Sequence, residues 1–418
     1  MEFQKVVIQH FKGIENMVLL FHPGINLVLG ENGVGKTSIL EAMTIALGDY
    51  FNGITGVSKK GILHEQIHFK ANRSGDASTK IKYFTPTTIT SEIHIGKEVG
   101  IGEVTRRDET NRSRTKYLGY AFASYARKIC NDMDSILPLL CYFSTSRMAP
   151  PKREDFGTTS KNKLNDRRSG YIGCLENNLD RKALEAWCLK MEQVEFKKKS
   201  PVQEYTVFKS IVSTFMMNMN ELSTPPTISY SEIFDDMVYE ENETITPIKY
   251  LSAGYQSLLW IAMMMAFRLC QLNPTIEDYK TVPGIVLIDE VDMHLHPRWQ
   301  WRIVNALKET FPKIQFILAT HAPIIISSCK DAHLIQIDDN HSILYPPSAY
   351  AFSIDDVAEL TQGSSGVPME LKKLAKDFNQ AFTDRDKQRA LDVYQKMLEQ
   401  FGETNTEVDL AKRRLSIL

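Results

Sequence analysis

The sequence predicts an α/β fold organised around an open sheet, and three stretches predict it. The apolar run 25–29 stops at Gly30 and leads through Gly33 and Gly35 into a segment with apolar residues at Ile39, Leu40, Met43, Ile45, Ala46 and Leu47, which is helical spacing. A second apolar run, 285–288, ends in the carboxylates Asp289 and Glu290. A third, 316–319, ends in Thr320 and His321. Buried strands that stop abruptly at glycine or polar residues are how open α/β sheets present chemistry, at the strand ends.

The first stretch is the most specific. Gly30, Glu31, Asn32, Gly33, Val34, Gly35, Lys36, Thr37 and Ser38 fit G-x-x-x-x-G-K-T between a strand and a helix. Small residues let backbone N–H groups curl around phosphates at a helix N-terminus, where the helix dipole favours negative charge. Lys36 is placed to reach the β- and γ-phosphates of ATP, and the Thr37 hydroxyl to ligate Mg²⁺. Gly48 reads as the stop of this helix. Asp289 completes the metal site through water, and Glu290 is the candidate to polarise the attacking water.

Composition narrows the class. Hydrophobic content of 43% and charged content of 24% suit a globular chain of 418 residues that buries a sizeable core. A formal net charge of −2 argues against wholesale coating of nucleic acid. Six scattered cysteines without a C-x-x-C pair read as buried thiols in a reducing cytoplasm. The N-terminus lacks the pattern of a signal peptide, and the greasiest window, 258–269, is short for a bilayer and carries Arg268. The expectation is a cytoplasmic protein with no membrane partner.

In chain order, 3–11 and 17–21 read as strands about a turn at Lys12-Gly13, and 81–98 as one or two more. Residues 106–116 read as a solvated hairpin tip. Residues 117–132 have helical spacing, 137–143 form a buried strand, and Arg147 at its end could meet a phosphate or a neighbouring subunit. From 151 to 199 the chain holds 12 Lys/Arg against 8 Asp/Glu, which makes a basic insertion with either a partner-reading or a plainly solvated face. Helices are expected at 175–196 and 205–220. After the strand at 314–320 a hairpin closes near 345, Gly363 to Gly366 mark a linker, and two or three helices follow, with Thr383/Asp384 as N-cap and Gly402 as stop. The expected organisation is therefore 1–150 and 246–350 as two parts of one ATPase domain, 151–245 as a mainly helical insertion, and 351–418 as a helical docking tail.

Between the insertion and the acidic strand lies Ser252-Ala253-Gly254-Tyr255-Gln256, which opens the helix 258–272. It resembles the L-S-G-G-Q signature of ABC-type ATPases, and His321 falls where those proteins carry their switch histidine. Loop, signature, acidic strand and histidine follow in ABC order, so the chain resembles a P-loop NTPase of that class, an ABC-ATPase head with a helical insertion and a small C-terminal helical tail. Asp289-Glu-Val-Asp-Met-His-Leu-His-Pro297 and Thr320-His-Ala-Pro323 resemble the RecF/SMC/OLD branch, and most of all the PtuA-like ATPases of Septu and retron anti-phage systems.

That resemblance implies a head-to-tail homodimer, or a higher even oligomer, in which Ser252, Ala253, Gly254 and Gln256 of one subunit cover ATP held by Lys36 of the other. Glu290 and His321 would be catalytic, and His294 and His296 would lie in a D-loop at the subunit interface. It also implies a defence role with a separate effector, an HNH-type nuclease, and leaves open a retron reverse transcriptase with its small DNA, and nucleic acid. Three departures stand out: Ala253 replaces a signature Gly, Tyr255 is inserted before Gln256, and the Q-loop has only Gln66 as a candidate for the metal. No long heptad arms of the SMC kind and no OLD-type acidic nuclease cluster after His321 are evident. The alternatives are a RecF-like DNA repair ATPase, the nucleotide-binding subunit of a transporter, and a scaffold that binds ATP without needing turnover.

Overall fold

In the computed structural model, β1 (Glu2–Phe11) and β2 (Ile14–Leu20) pair antiparallel about the expected turn, where Lys12 has a φ of 50°. β3 (Ile25–Leu29) is buried at all five residues, as an inner parallel strand must be. It leads into α1 (Lys36–Ala46), and α2 (Gly48–Phe51) follows one residue later. Gly48 is therefore not the stop that its residue type suggests. Leu47 keeps right-handed helical angles, and Gly48 sits where space is tight, a Cβ there lying 3.1 Å from the Lys60 carbonyl oxygen and from the Tyr117 ring. The structure describes the chain except for residues 75–77, 97, 111–114, 118–119, 149–165, 177–179, 351, 355, 358–368, 404 and 417–418. The expected linker at Gly363 to Gly366, the tip of the 106–116 hairpin and the start of the basic insertion lie outside the described residues.

Asp49, on α2, is fully buried, and neither carboxylate oxygen has a hydrogen-bond partner. Burial pushes its pKa up to about 6, with Lys59 opposing. In the unfolded chain the same group titrates near 3.8. From about pH 4 to pH 6 the folded chain thus keeps a proton that the unfolded chain has released. This group's contribution to stability falls across that window and stays low above it. Asp49→Asn should raise stability at pH 8 by about 2 kcal/mol, an advantage that shrinks as the pH is lowered to 5. Thermal scans of both proteins at the two pH values check it; an advantage independent of pH would contradict it.

β4 (Phe69–Ser74) and β5 (Ser78–Tyr83) make a hairpin, while β6 (Thr87–Ile95), β7 (Glu98–Arg106) and β8 (Lys116–Tyr117) extend the first sheet to the antiparallel order β2-β1-β6-β7-β8. α3 (Tyr120–Asn131) precedes β9 (Leu139–Phe143), again buried throughout. The stretch expected to be a mainly helical insertion is mixed. α4 (Arg181–Lys198) and α5 (Gln203–Asn220) are helical, but β10 (Thr227–Ser231), β11 (Asp236–Glu241) and β12 (Thr244–Pro247) form a three-stranded antiparallel sheet that runs past residue 245. Runs of Thr, Ile, Val and Tyr, broken by a turn at Asn242-Glu243 where both residues have positive φ, favour strands here. These helices are packed together and onto α6 (Ala253–Leu272): Trp187 of α4 meets Tyr205 and Phe208 of α5, and Phe267 of α6, edge to face.

The remaining elements are β13 (Gly284–Ile288), α7 (Pro297–Gln300), α8 (Ile303–Thr310), β14 (Ile314–Ala319), α9 (Pro323–Ser328), β15 (His333–Ile337) and β16 (Ile343–Leu344). The second sheet has the order β16-β15-β3-β14-β13-β9, parallel except for β16. Gln315 ties the two sheets together, its side chain taking both the N–H and the carbonyl of Phe3 at 2.8 and 2.9 Å. Because β3, β14, β13 and β9 run the same way, residues 30–38, 320–321, 289–292 and 144–147 all leave the sheet at one edge.

Residues Met1–Ala351 form one compact unit and Phe352–Leu418 a second. The second holds helices Met369–Thr383, Lys387–Phe401 and Thr406–Leu415, packed through Leu371, Phe378, Ala390, Met397 and Val408. The N-cap of its middle helix is Asp386, which accepts from the Arg389 N–H at 3.1 Å, and not Thr383/Asp384. Thr383 instead bonds back to the Asn379 carbonyl at 2.8 Å and ends the preceding helix. Among the described residues no helix is long and apolar enough to cross a membrane.

Candidate nucleotide site

The phosphate loop leaves β3 through Gly30, Gly33 and Gly35, with φ of 149°, 94° and 100°, the left-handed side that glycine alone adopts freely. Val34 is buried and anchors the loop, while Glu31, Asn32 and Gly33 are exposed and Ser38 is half-buried on the first turn of α1. Lys36 folds back along the loop, its Nζ donating to the Gly30 and Glu31 carbonyls at 2.7 and 2.8 Å. It is 7% exposed, and burial lowers its pKa against the opposing pull of Asp289 and Glu290. A cation so desolvated, at the start of a helix, is primed for a polyanion. Lys36→Ala should weaken nucleotide binding by about 100-fold, the loss of charge-assisted bonds to phosphate; titration with a fluorescent ATP analogue checks this.

Thr37 Oγ1 donates to Asp289 Oδ2 at 2.7 Å. Asp289 is 1% exposed, its other oxygen Oδ1 is buried with no hydrogen-bond partner, and desolvation raises its pKa despite the Thr37 bond. A buried carboxylate oxygen left unsatisfied beside the loop hydroxyl suits a hard divalent cation, which takes oxygen ligands. Gln66 is not brought to this pair. Its side chain accepts from the Leu63 N–H at 2.9 Å, closing its own short 3-10 turn (His64–Gln66), and its carbonyl accepts from Lys12.

Arg147 does not reach outward for a phosphate or a neighbouring subunit, as its place at a strand end suggested. It is 1% exposed and donates to the carbonyls of Asp289 at 2.7 Å, Glu290 at 2.8 Å and Ser144 at 3.2 Å. Burial lowers its pKa to about 10, with Asp289 the chief opposing charge. The guanidinium fork thus clamps the backbone that carries the two acidic side chains. Glu290 needs such a clamp, because its φ of 45° is a conformation a non-glycine residue adopts only at a cost.

At the end of β14, Thr320 Oγ1 donates to Asp292 Oδ1 at 2.5 Å, and His321 Nδ1 lies 3.6 Å from Asp292 Oδ2 with the imidazole 46% exposed. Asp292 is 8% exposed and places a carboxylate beside the imidazole, at a separation longer than a hydrogen bond. Neither Asp292 nor the inward role of Arg147 was among the sequence candidates; the acidic third position after Asp289 was the available signal for the first.

Ser252 caps α6, its Oγ accepting from the Tyr255 N–H at 3.4 Å, and Ser252 and Ala253 are exposed. Gly254 is pressed on the D-loop: a Cβ there would come within 2.4 Å of the His294 carbonyl oxygen. Gln256 turns back to the Leu251 carbonyl at 2.8 Å. His296 accepts from the Arg298 N–H as the cap of α7, and among the described residues no three or more His, Cys, Asp or Glu side chains gather as a metal-holding group. An open cleft of about 950 Å³ is lined by Ser252, Gly254, Tyr255, His294, His296 and Trp299, with no phosphate-loop residue in it.

The model of the RecF/RecN/SMC N-terminal domain matches residues 2–343. The chain belongs to this family. Among solved structures, an Smc head bound to the C-winged helix domain of ScpA shares the fold, with a TM-score of 0.51, 14% identity, and coverage of 83% of this chain and 98% of that one. The Retron Vc95 probable ATPase of Vibrio cholerae serotype O1 biovar El Tor is 26% identical over 378 residues, 77% of this chain and 71% of that protein. The Septu protein PtuA of Bacillus thuringiensis is 25% identical over 401 residues, 92% and 90% of the two chains. A second Septu protein PtuA, from Bacillus mycoides (strain KBAB4), is 27% identical over 345 residues, 81% of this chain and 40% of that longer protein.

Proposed function

We propose that this chain is the ATP-binding and ATP-hydrolysing regulatory subunit of an anti-phage defence system. Its working unit is a head-to-tail dimer, or an even assembly of dimers, that controls a separate effector nuclease of the HNH type. The observation that carries the dimer is the separation of two half-sites on one chain: Lys36, Thr37 and Asp289 on one, and the exposed Ser252 beside a cleft that holds none of them on the other. Two copies in antiparallel arrangement would join each half to its complement, an isologous solution. Thr37 and Asp289 would hold a magnesium ion, which neutralises charge on the β- and γ-phosphates when bound. Glu290 would accept a proton from the attacking water, and His321, whose Nδ1 lies 3.6 Å from Asp292, would contact the γ-phosphate side. The defence role rests on likeness to the Septu and retron proteins along most of their shared length.

The test is a plating assay on a host carrying the native gene cluster, with the complex isolated from the same cells for mass determination. The reading expects phage plating to rise to the level of the empty host with Lys36→Ala, and an even number of copies bound to a nuclease-sized companion. An isolated chain whose turnover rises strongly with DNA, and whose DNA binding falls steeply with salt, would point to a recombination ATPase instead.

A further inference from the structure

Tyr255, the residue inserted into the signature, is the hub of a hydrogen-bonded cluster that joins three separate parts of the chain. Its hydroxyl accepts from Asn220 Nδ2 at 2.7 Å, at the end of α5, and donates to Glu241 Oε2 at 2.8 Å, on β11. Asn220 Oδ1 accepts from Trp299 Nε1 at 3.0 Å, on α7 beyond the D-loop. Tyr239 donates to the same Glu241 oxygen at 2.8 Å, and the Tyr255 and Trp299 rings meet edge to face at 5.2 Å. A second tie runs in parallel, with Arg302 paired to Glu221 at 2.7 Å. The proton order is therefore set in one direction: Asn220 amide to Tyr255 hydroxyl to Glu241 carboxylate.

The backbone cap of this turn is weak. The Ser252 to Tyr255 bond, at 3.4 Å, is at the long end of the useful range. The side-chain cluster, half-buried and fully matched, holds the turn in its place, and Gly254 is left no slack against His294. We infer that Asn220, Glu241 and Trp299 are positioning residues for ATP turnover, fixing Ser252 and Gly254 through Tyr255 at the angle at which they meet a nucleotide held by a second copy of this chain. The strands and helix of residues 203–247 thus act on the signature. The inference rests on the dimer reading above.

Asn220→Asp tests it with almost no change of shape. The Trp299 bond keeps its acceptor, but the donor facing the Tyr255 oxygen becomes a second acceptor. Turnover should fall by about tenfold or more, while the affinity of the single chain for ATP, set at Lys36, stays within about twofold of the native value. Adding Glu241→Gln reverses the chain of donors: the two N–H bonds of the new amide donate to the Tyr255 and Tyr239 oxygens, so Tyr239 turns from donor to acceptor, and the Tyr255 hydroxyl donates to the carboxylate at 220. The double variant should recover turnover to within about threefold of native. Native turnover in Asn220→Asp, or a double variant no faster than the single one with both folded, overturns the inference. If Asn220→Asp does not fold, Tyr255→Phe, which deletes only the hub hydroxyl, replaces it and must show the same split between turnover and affinity. The two readings fail separately. Glu290→Gln with the native cluster that forms no ATP-bound dimer sinks the dimer, whereas one that dimerises equally well with Asn220→Asp sinks only the positioning role.

Discussion

Replacing Glu290 by Gln stops turnover and leaves ATP in place. The side chain stands one residue past the metal-side carboxylate on a backbone held by Arg147, and the amide cannot take a proton from water. A loss of about 10²–10³-fold in kcat is expected, with nucleotide affinity kept. Because hydrolysis is what would release the two copies, the variant should accumulate on a sizing column as an ATP-bound dimer that outlives the native one by about the factor lost in kcat. Turnover at the native rate, or a dimer no longer-lived than native, would remove Glu290 from its role. If the variant still protects cells from phage as the native chain does, ATP would act as a structural ligand and not as a timed switch.

Arg147 carries the second large effect. Its bonds to the carbonyls of Asp289 and Glu290 lie in a buried setting, where an acceptor left without a partner costs about 1–3 kcal/mol. Arg147→Lys keeps a charge but has a compact head in place of a planar fork that spans both carbonyls; if the Glu290 bond is the one lost, that carbonyl still accepts from the Met293 N–H at 2.9 Å, whereas loss of the bond to Asp289 takes away the shorter of the two. We expect a drop in stability of about 2–3 kcal/mol and a fall in kcat of about 10–100-fold as Glu290 loses its fixed backbone. Thermal melts and steady-state rates check both. A variant destabilised but fully active would show that the clamp serves the fold and not the chemistry.

Much of the site was legible because its signals are local. Short, mainly apolar runs ending at Gly30, Asp289 or Thr320 read as inner strands, and a parallel sheet then brings their ends together. Arg147 was visible as a residue but not in its direction, since whether an arginine at a strand end turns out to solvent or in to carbonyls is decided by neighbours more than a hundred residues away. The same holds for Tyr255, which reads as a flaw in the signature until Asn220, Glu241 and Trp299 are seen around it. The local partner of Gln66 was equally hidden: its side chain accepts from the Leu63 N–H, the residue that caps its own short turn. At Gly48, close packing against Lys60 and Tyr117 suits a glycine that helix-ending rules would assign to a cap. Of the strands within 227–247, the acidic run at 235–243 suggests only an exposed strand-turn, and the three-stranded pairing around it depends on partners that no local pattern names.

The central claim is that each working site is built from two chains, and mixing two disabled chains tests it most directly. Lys36→Ala lacks the phosphate-loop half, and Ser252→Arg blocks the signature half; each alone should be inactive. Mixed in equal amounts, half of the dimers would contain one of each, and each of these would hold one intact site. The account predicts recovery of about a quarter of native turnover. A mixture as inactive as its components, from chains shown to exchange partners, would contradict it and confine the site to a single chain.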